Sequence, residues 1–133
     1  MTLSIEDRLD TLELVARADN AATARDAQAY VALFTEDGVI DGAEGQHRGR
    51  DAMLASVGPI WAAEGAASSH LTLNAIVEPV AGHPDQALAT STLVIMVTGT
   101  PPVIRTTAQI LQHLVKVDGR WLISRRSVAG PNG

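Results

Sequence analysis

The chain has 133 residues, 46% of them hydrophobic, which suits one buried core, is too short for two, and argues against global disorder. It has no cysteine, a formal net charge of −5 and only four aromatic residues among Phe, Trp and Tyr. Disulfides, thiolate chemistry and cysteine metal sites are excluded, and neither counterion-driven nor base-stacking nucleic-acid binding is expected.

The apolar stretches are far shorter than the roughly 20 residues that span a bilayer. The opening Met1-Thr2-Leu3-Ser4-Ile5-Glu6-Asp7 has early acids in place of a basic start and an apolar run. No export signal or membrane partner is expected, and the default address is cytoplasmic.

The expected domain runs over residues 1–133, with its core at about 5–129. Ile5, Leu9, Leu12 and Ala16 recur at spacings of four, three and four, which predicts an opening helix with these residues inward. Continued, that face reaches Asp19 and Thr23, and Leu14 falls off it. Asp26 is the expected N-cap of a second short helix carrying Tyr30, Val31, Leu33 and Phe34. After a break at Thr35-Glu36-Asp37-Gly38, Val39-Ile40-Asp41 is a short strand, and the glycine-rich stretch 42–49 reads as loop. A third helix starts near Arg50 with Met53, Leu54 and Val57 inward, and Gly58-Pro59 predicts a kink or irregular turn within it.

From His70 the period changes to two. His70 to Val77, Ala87 to Val97, Arg105 to Val117 and Trp121 to Val128 read as strands. Gly82-His83-Pro84-Asp85 and Gly99-Thr100-Pro101-Pro102 are turns between them. Asp118-Gly119 is a strong two-residue hairpin signal, and the tail Gly130-Pro131-Asn132-Gly133 has nothing to anchor it. Helices first and a strand meander afterwards predict an α+β domain.

Four segments in this order resemble the nuclear-transport-factor-2-like superfamily, and within it the SnoaL-like group of polyketide cyclases, dehydratases and isomerases. They are Ala32–Asp41 (ALFTEDGVID), Arg48–Met53 (RGRDAM), His70–Asn74 (HLTLN) and Val117–Ile123 (VDGRWLI). The resemblance covers about Asp7 to Val128. It implies a curved antiparallel or mixed sheet, with three N-terminal helices closing a cone-shaped apolar pocket for a small molecule.

Asp19 is a carboxylate on the inward face of the first helix. Buried without partners it would hold its proton, as a general acid or base at neutral pH requires; at the rim it would simply be wet. His70 stands where the superfamily's dehydratases place a catalytic histidine. Thr72 and Asn74 share its strand face, either as a hydrogen-bonding row in the pocket or as ordinary exposed residues.

The rest of the related sets is missing. The scytalone-dehydratase resemblance would put an aspartate at Thr23 and a tyrosine at Gly42. The ketosteroid-isomerase pattern would want a tyrosine near Ala18 and an aspartate close to Gly42, where Asp41 is offset by one. Asn20 with Asp19 can substitute for the missing carboxylate.

His113 is expected opposite Ser124, sharing a face with Leu111, Val115, Leu122 and Arg126, as a structural residue or a pocket one. Tyr30 is the only phenol, for packing or for donation to a substrate oxygen. Arg125 and Arg126 alternate faces, so one is available to an inner acid or an anionic group. His47 and His83 read as surface.

No histidine pair has helical zinc spacing, and no phosphate-cradling glycine loop or Ser-His-Asp arrangement is evident, so no metal and no cofactor is expected. The leading expectation is cofactor-free proton transfer (dehydration, isomerisation or cyclisation) on a small apolar carbonyl or hydroxyl compound. His70 and Asp19 would transfer protons, with Asn20, Thr23, Asn74, His113 and Tyr30 around the substrate. The alternatives are a non-catalytic small-ligand carrier and an assembly module. The apolar run Val94-Ile95-Met96-Val97 needs cover on both sides, which predicts a homodimer in any case.

Overall fold

The computed structural model describes residues 2–65 and 67–129; the Gly130–Gly133 tail lies outside them. Three helices, α1 (Ile5–Thr23), α2 (Ala27–Val31) and α3 (Arg50–Glu64), alternate with and then give way to six strands. These are β1 (Phe34–Gly42), β2 (Gly45–Arg48), β3 (Ser68–Val80), β4 (His83–Val97), β5 (Val103–Val117) and β6 (Arg120–Ala129). They form one curved, unclosed mixed sheet in the order β2-β1-β6-β5-β4-β3. All pairings are antiparallel except β1 with β6.

Helix α1 buries a face different from the expected one. Thr11, Leu14, Val15, Ala18, Asp19 and Ala22 are buried, while Ile5 is 81% exposed and Leu9 is 60% exposed. Two stripes compete on this helix, and the buried one is disguised by Thr11, Asp19 and the two alanines Ala18 and Ala22. Thr11 tolerates burial because its hydroxyl donates to the carbonyl of Asp7 at 2.7 Å. Asp19 belongs to the buried face although Ile5 and Leu9 do not.

Helix α2 begins where Asp26 accepts a hydrogen bond from Ala29 N at 3.0 Å. The stretch 42–49, expected as loop, contains strand β2, which pairs Val39 with Arg48 and Ile40 with His47. Helix α3 continues through Gly58-Pro59 to Glu64. At the last hairpin, Asp118 and Gly119 adopt φ of 51° and 78°, the positive pair that a tight turn of this hand needs.

The concave face of the sheet packs on the helices. Val77, Ala87, Ala89, Leu114, Trp121 and Ile123 join Leu14, Val15, Ala18, Met53, Val57 and Trp61 in one core. Leu93, Ile95, Ala108 and Ile110 form a second cluster farther along the same face, with Val128 against it. Register shifts at Leu73/Ile76, Ile95/Met96 and His113/Leu114 bend the long strands, since each extra residue sharpens the local twist.

The run Val94–Val97 is less bare than expected, because Val94 and Ile95 are already buried within the chain. Exposed apolar area lies instead on the convex face. Leu111 aligns through Thr90 with Ile76, and Gln109 through Thr92 with Leu73. Leu73, Ile76 and Leu111 are all exposed. No helix among the described residues is long and apolar enough to cross a membrane.

Candidate functional site

Between α3 and the second apolar cluster lies a cavity of about 410 Å³, within the size range of small-molecule sites. Its apolar wall comes from Ile40, Val57, Ile60, Trp61, Leu93 and Ile95. Tyr30 also lines it, its ring held edge-on to Trp61 at 5.3 Å between centroids.

One polar station is His70 with Glu64. His70 follows Ser68 on the inner face of β3, opposite Ile95, and Glu64 is the last residue of α3. His70 Nε2 lies 2.6 Å from Glu64 Oε1, with the side chains 6% and 14% exposed. In the neutral ring this contact with a carboxylate, which accepts and does not donate, assigns the proton to Nε2 and leaves the lone pair on Nδ1. Arg25 approaches Glu64 Oε1 at 4.0 Å.

The other station is Arg126 with Asp19 and Tyr30. Arg126 donates to Asp19 Oδ1 at 2.9 Å, with side chains only 4% and 3% exposed. It also donates to Gln112 Oε1 at 3.3 Å, and the Thr72 hydroxyl donates to Asp19 Oδ2. Burial opposes the Arg126 charge, but Tyr30 and Asp19, together with the hydrogen bond to Asp19, outweigh it and raise its pKa. For Tyr30, burial dominates; Arg126 pulls the other way and Asp19 adds to the rise. The phenol is therefore held neutral and able to donate at pH 7. With the phenol neutral, Asp19 is the partner that holds the Arg126 charge.

The SnoaL-like domain family matches residues 3–127. The chain belongs to the SnoaL-like family. Solved structures agree. One is a cystatin-like-fold protein of unknown function from Nostoc punctiforme, with 24% identity, 98% of this chain and 96% of that one covered, and a TM-score of 0.88. Another is an NTF2-like protein with a cystatin-like fold from Novosphingobium aromaticivorans, with 27% identity, 97% and 84% coverage and a TM-score of 0.84. A proposed scytalone dehydratase from the same organism is similar at 22% identity, 90% and 80% coverage and a TM-score of 0.71. No curated protein sequence matches the chain.

In this SnoaL-like domain, His70, Tyr30 and Arg126 line the cavity, whereas Asp19 is buried behind it, paired to Arg126. The carboxylate beside His70 is Glu64, which the sequence reading passed over. Its signal was available. Glu64 is an acid in the last turn of a helix with no basic residue there, a place the helix dipole disfavours.

Thr23 is not at the cavity wall. Its hydroxyl accepts from His70 N at 2.8 Å and donates to the Asp19 carbonyl at 3.1 Å, tying α1 to the start of β3. Asn20 is exposed on the outer side of α1. Asn74 is exposed too, at φ 55° within the Leu73/Ile76 bulge, so it leaves the face of His70 and Thr72.

His113 is exposed and pairs with Arg125, not Ser124. The bulge at His113/Leu114 shifts the alternation, so Arg126 faces inward with Gln112 while Arg125 pairs with Asp41 at 2.7 Å. His47, expected at the surface, lines the cavity from β2. No cluster of three or more potential metal ligands occurs among the described residues.

Proposed function

We propose that this protein catalyses cofactor-free proton transfer on a small apolar carbonyl or hydroxyl compound, in a reaction of the dehydratase, isomerase or cyclase type. The observation that carries the reading is the His70–Glu64 hydrogen bond of 2.6 Å at the wall of an apolar cavity. Glu64 fixes the imidazole tautomer and steadies the imidazolium that forms when Nδ1 takes a proton. His70 then returns that proton to a leaving hydroxyl or a neighbouring carbon.

Asp19 acts one step back as a positioning residue that holds Arg126, and Thr23 holds the strand that carries His70. Asn20, Asn74 and His113 have no part in the reaction so drawn. The working unit is a homodimer joined through the convex face around Leu73, Ile76 and Leu111.

A substrate need not be known to test this. 2-Tetralone carries acidic protons between its ring and its carbonyl, and their exchange in D₂O is followed by NMR. The protein is expected to accelerate exchange, and folded His70→Ala to reduce the acceleration by about 10²-fold or more. Binding of 2-tetralone without accelerated exchange would turn the reading toward a carrier. Unaltered exchange in His70→Ala would remove the histidine from the mechanism.

A further inference from the structure

The lining of the cavity carries one guanidinium, Arg126, and two carboxylates, Glu44 and Glu64. The charge of Arg126 is already answered by Asp19, which is buried with it. A guanidinium has five N–H donors. Asp19 and Gln112 accept from Arg126 through its two terminal nitrogens, and Nε has no hydrogen-bond partner among the described residues. The Tyr30 hydroxyl likewise has no acceptor among the described residues. This end of the cavity therefore offers directed donors without a net positive charge.

That combination separates two kinds of ligand oxygen. A neutral carbonyl oxygen accepts these hydrogen bonds and adds no charge. A carboxylate accepts them too, but brings a second anion to a desolvated pair whose positive member Asp19 has already neutralised. The other carboxylates at the wall, Glu64 and Glu44, add no positive charge, and the two imidazoles there, His70 and His47, add none in their neutral form.

We propose that the cavity selects uncharged carbonyl compounds over carboxylates, their oxygen received by Arg126 and Tyr30, and that Asp19 sets this selectivity by cancelling the Arg126 charge. The inference rests on the proton-transfer reading above for the direction of the substrate, with its oxygen toward Arg126 and its acidic carbon toward His70. The donors that bind the ground-state carbonyl also face the enolate oxygen that forms when His70 takes the proton. In that step one C–H bond breaks, the electron pair moves onto the carbonyl oxygen, and the proton rests on Nδ1 of His70.

The test compares two ligands of nearly equal shape, 2-acetonaphthone and 2-naphthoate, by titration at neutral pH. The wild-type protein is expected to bind the ketone about tenfold or more tightly than the carboxylate. Asp19→Asn should shift that ratio by about tenfold or more toward 2-naphthoate. Because Asp19→Asn strands a buried charge and can fail to fold, Tyr30→Phe provides an independent arm, expected to weaken ketone binding about three- to tenfold. Equal affinity of the wild type for both ligands, an unchanged ratio in folded Asp19→Asn, or full ketone affinity in Tyr30→Phe would each overturn the proposal. Charge-indifferent binding with proton exchange of 2-tetralone intact defeats the selectivity claim alone. If the wild type binds neither ligand and exchanges no protons, both readings fall.

Discussion

Replacing Arg126 by Met should destabilise the protein more than almost any other single change at this site. Arg126 and Asp19 are nearly inaccessible, so the variant leaves a buried carboxylate with the Thr72 hydroxyl as its remaining side-chain donor. Breaking a buried pair from one side costs about 3–5 kcal/mol. With an unfolding entropy of about 2.1 cal/mol/K per residue over the chain, the melting temperature should fall by about 10–18 °C. Asp19→Leu should cost a similar amount by stranding the guanidinium.

The double variant Asp19→Leu/Arg126→Met should recover much of the loss, because burying an ion pair costs desolvation that an apolar pair does not. It still strands Gln112, whose Oε1 accepts from Arg126 and whose Nε2 is buried without a partner. Adding Gln112→Leu should therefore return about 1–3 kcal/mol more. Urea melts of the wild type, the two single variants and Asp19→Leu/Arg126→Met give the coupling energy directly, and a value above about 2 kcal/mol is expected. Simple additivity of the two single variants would show that both charges are hydrated, which would sink the account of this end of the cavity.

Two further outcomes follow from other contacts. Asp7 Oδ1 accepts from Trp121 Nε1 at 2.9 Å and Lys116 Nζ at 3.0 Å, and these bonds, Trp121 first, lower its pKa. A depressed carboxylate contributes stability above its unfolded pKa of about 3.9 and loses it as pH falls through the folded value. Asp7→Asn should flatten the acid limb of a melting-temperature profile in that window; an unchanged acid limb would refute the linkage. On the convex face, Ile76→Lys/Leu111→Lys should convert a dimer to a monomer with the fold retained, as read by light scattering and circular dichroism. A wild-type protein that is already monomeric at micromolar concentration would dispose of the dimer.

Most of the element order was legible because period and punctuation were strong. Asp26 marks a cap, Asp118-Gly119 a hairpin, His70–Val77 alternates over eight residues, and glycine-proline turns separate the other long strands. Strand β2 was not legible, since Gly45-Gln46-His47-Arg48 has no apolar alternation and gains its place only by pairing with β1. The faces of α1 and of the last hairpin were misread for a common reason: both alternatives carry apolar residues, so local pattern cannot choose between them. In α1 the tertiary core chooses Leu14, Val15 and Ala18 over Ile5 and Leu9. At the hairpin a single bulge at His113/Leu114 decides, and an extra residue of that kind leaves no mark in the alternation of either strand. His70 was found through motif position. Glu64 was missed because its partner lies across a helix-to-strand turn and not along one element.

The two polar stations of the cavity are held by one short stretch of chain. Asp19 receives Arg126, Thr23 accepts from the backbone of His70, and Arg25 donates to the carbonyl of Gly65 at 2.7 Å and to the Ser68 hydroxyl. The segment from Asp19 to Arg25, the end of α1 and the two residues after it, thus ties down β6, the start of β3 and Gly65 beyond Glu64. None of these three side chains is at the cavity wall. Each instead removes a degree of freedom from a residue that is. A helix end has unsatisfied carbonyls and no strand register of its own, so side chains projecting from it can reach three separate elements without disturbing sheet pairing. This arrangement explains why a polar Asp-x-x-x-Thr-x-Arg pattern sits at a position where packing alone would favour apolar residues. The wall can then change its lining while the geometry of His70 and Arg126 is maintained from behind.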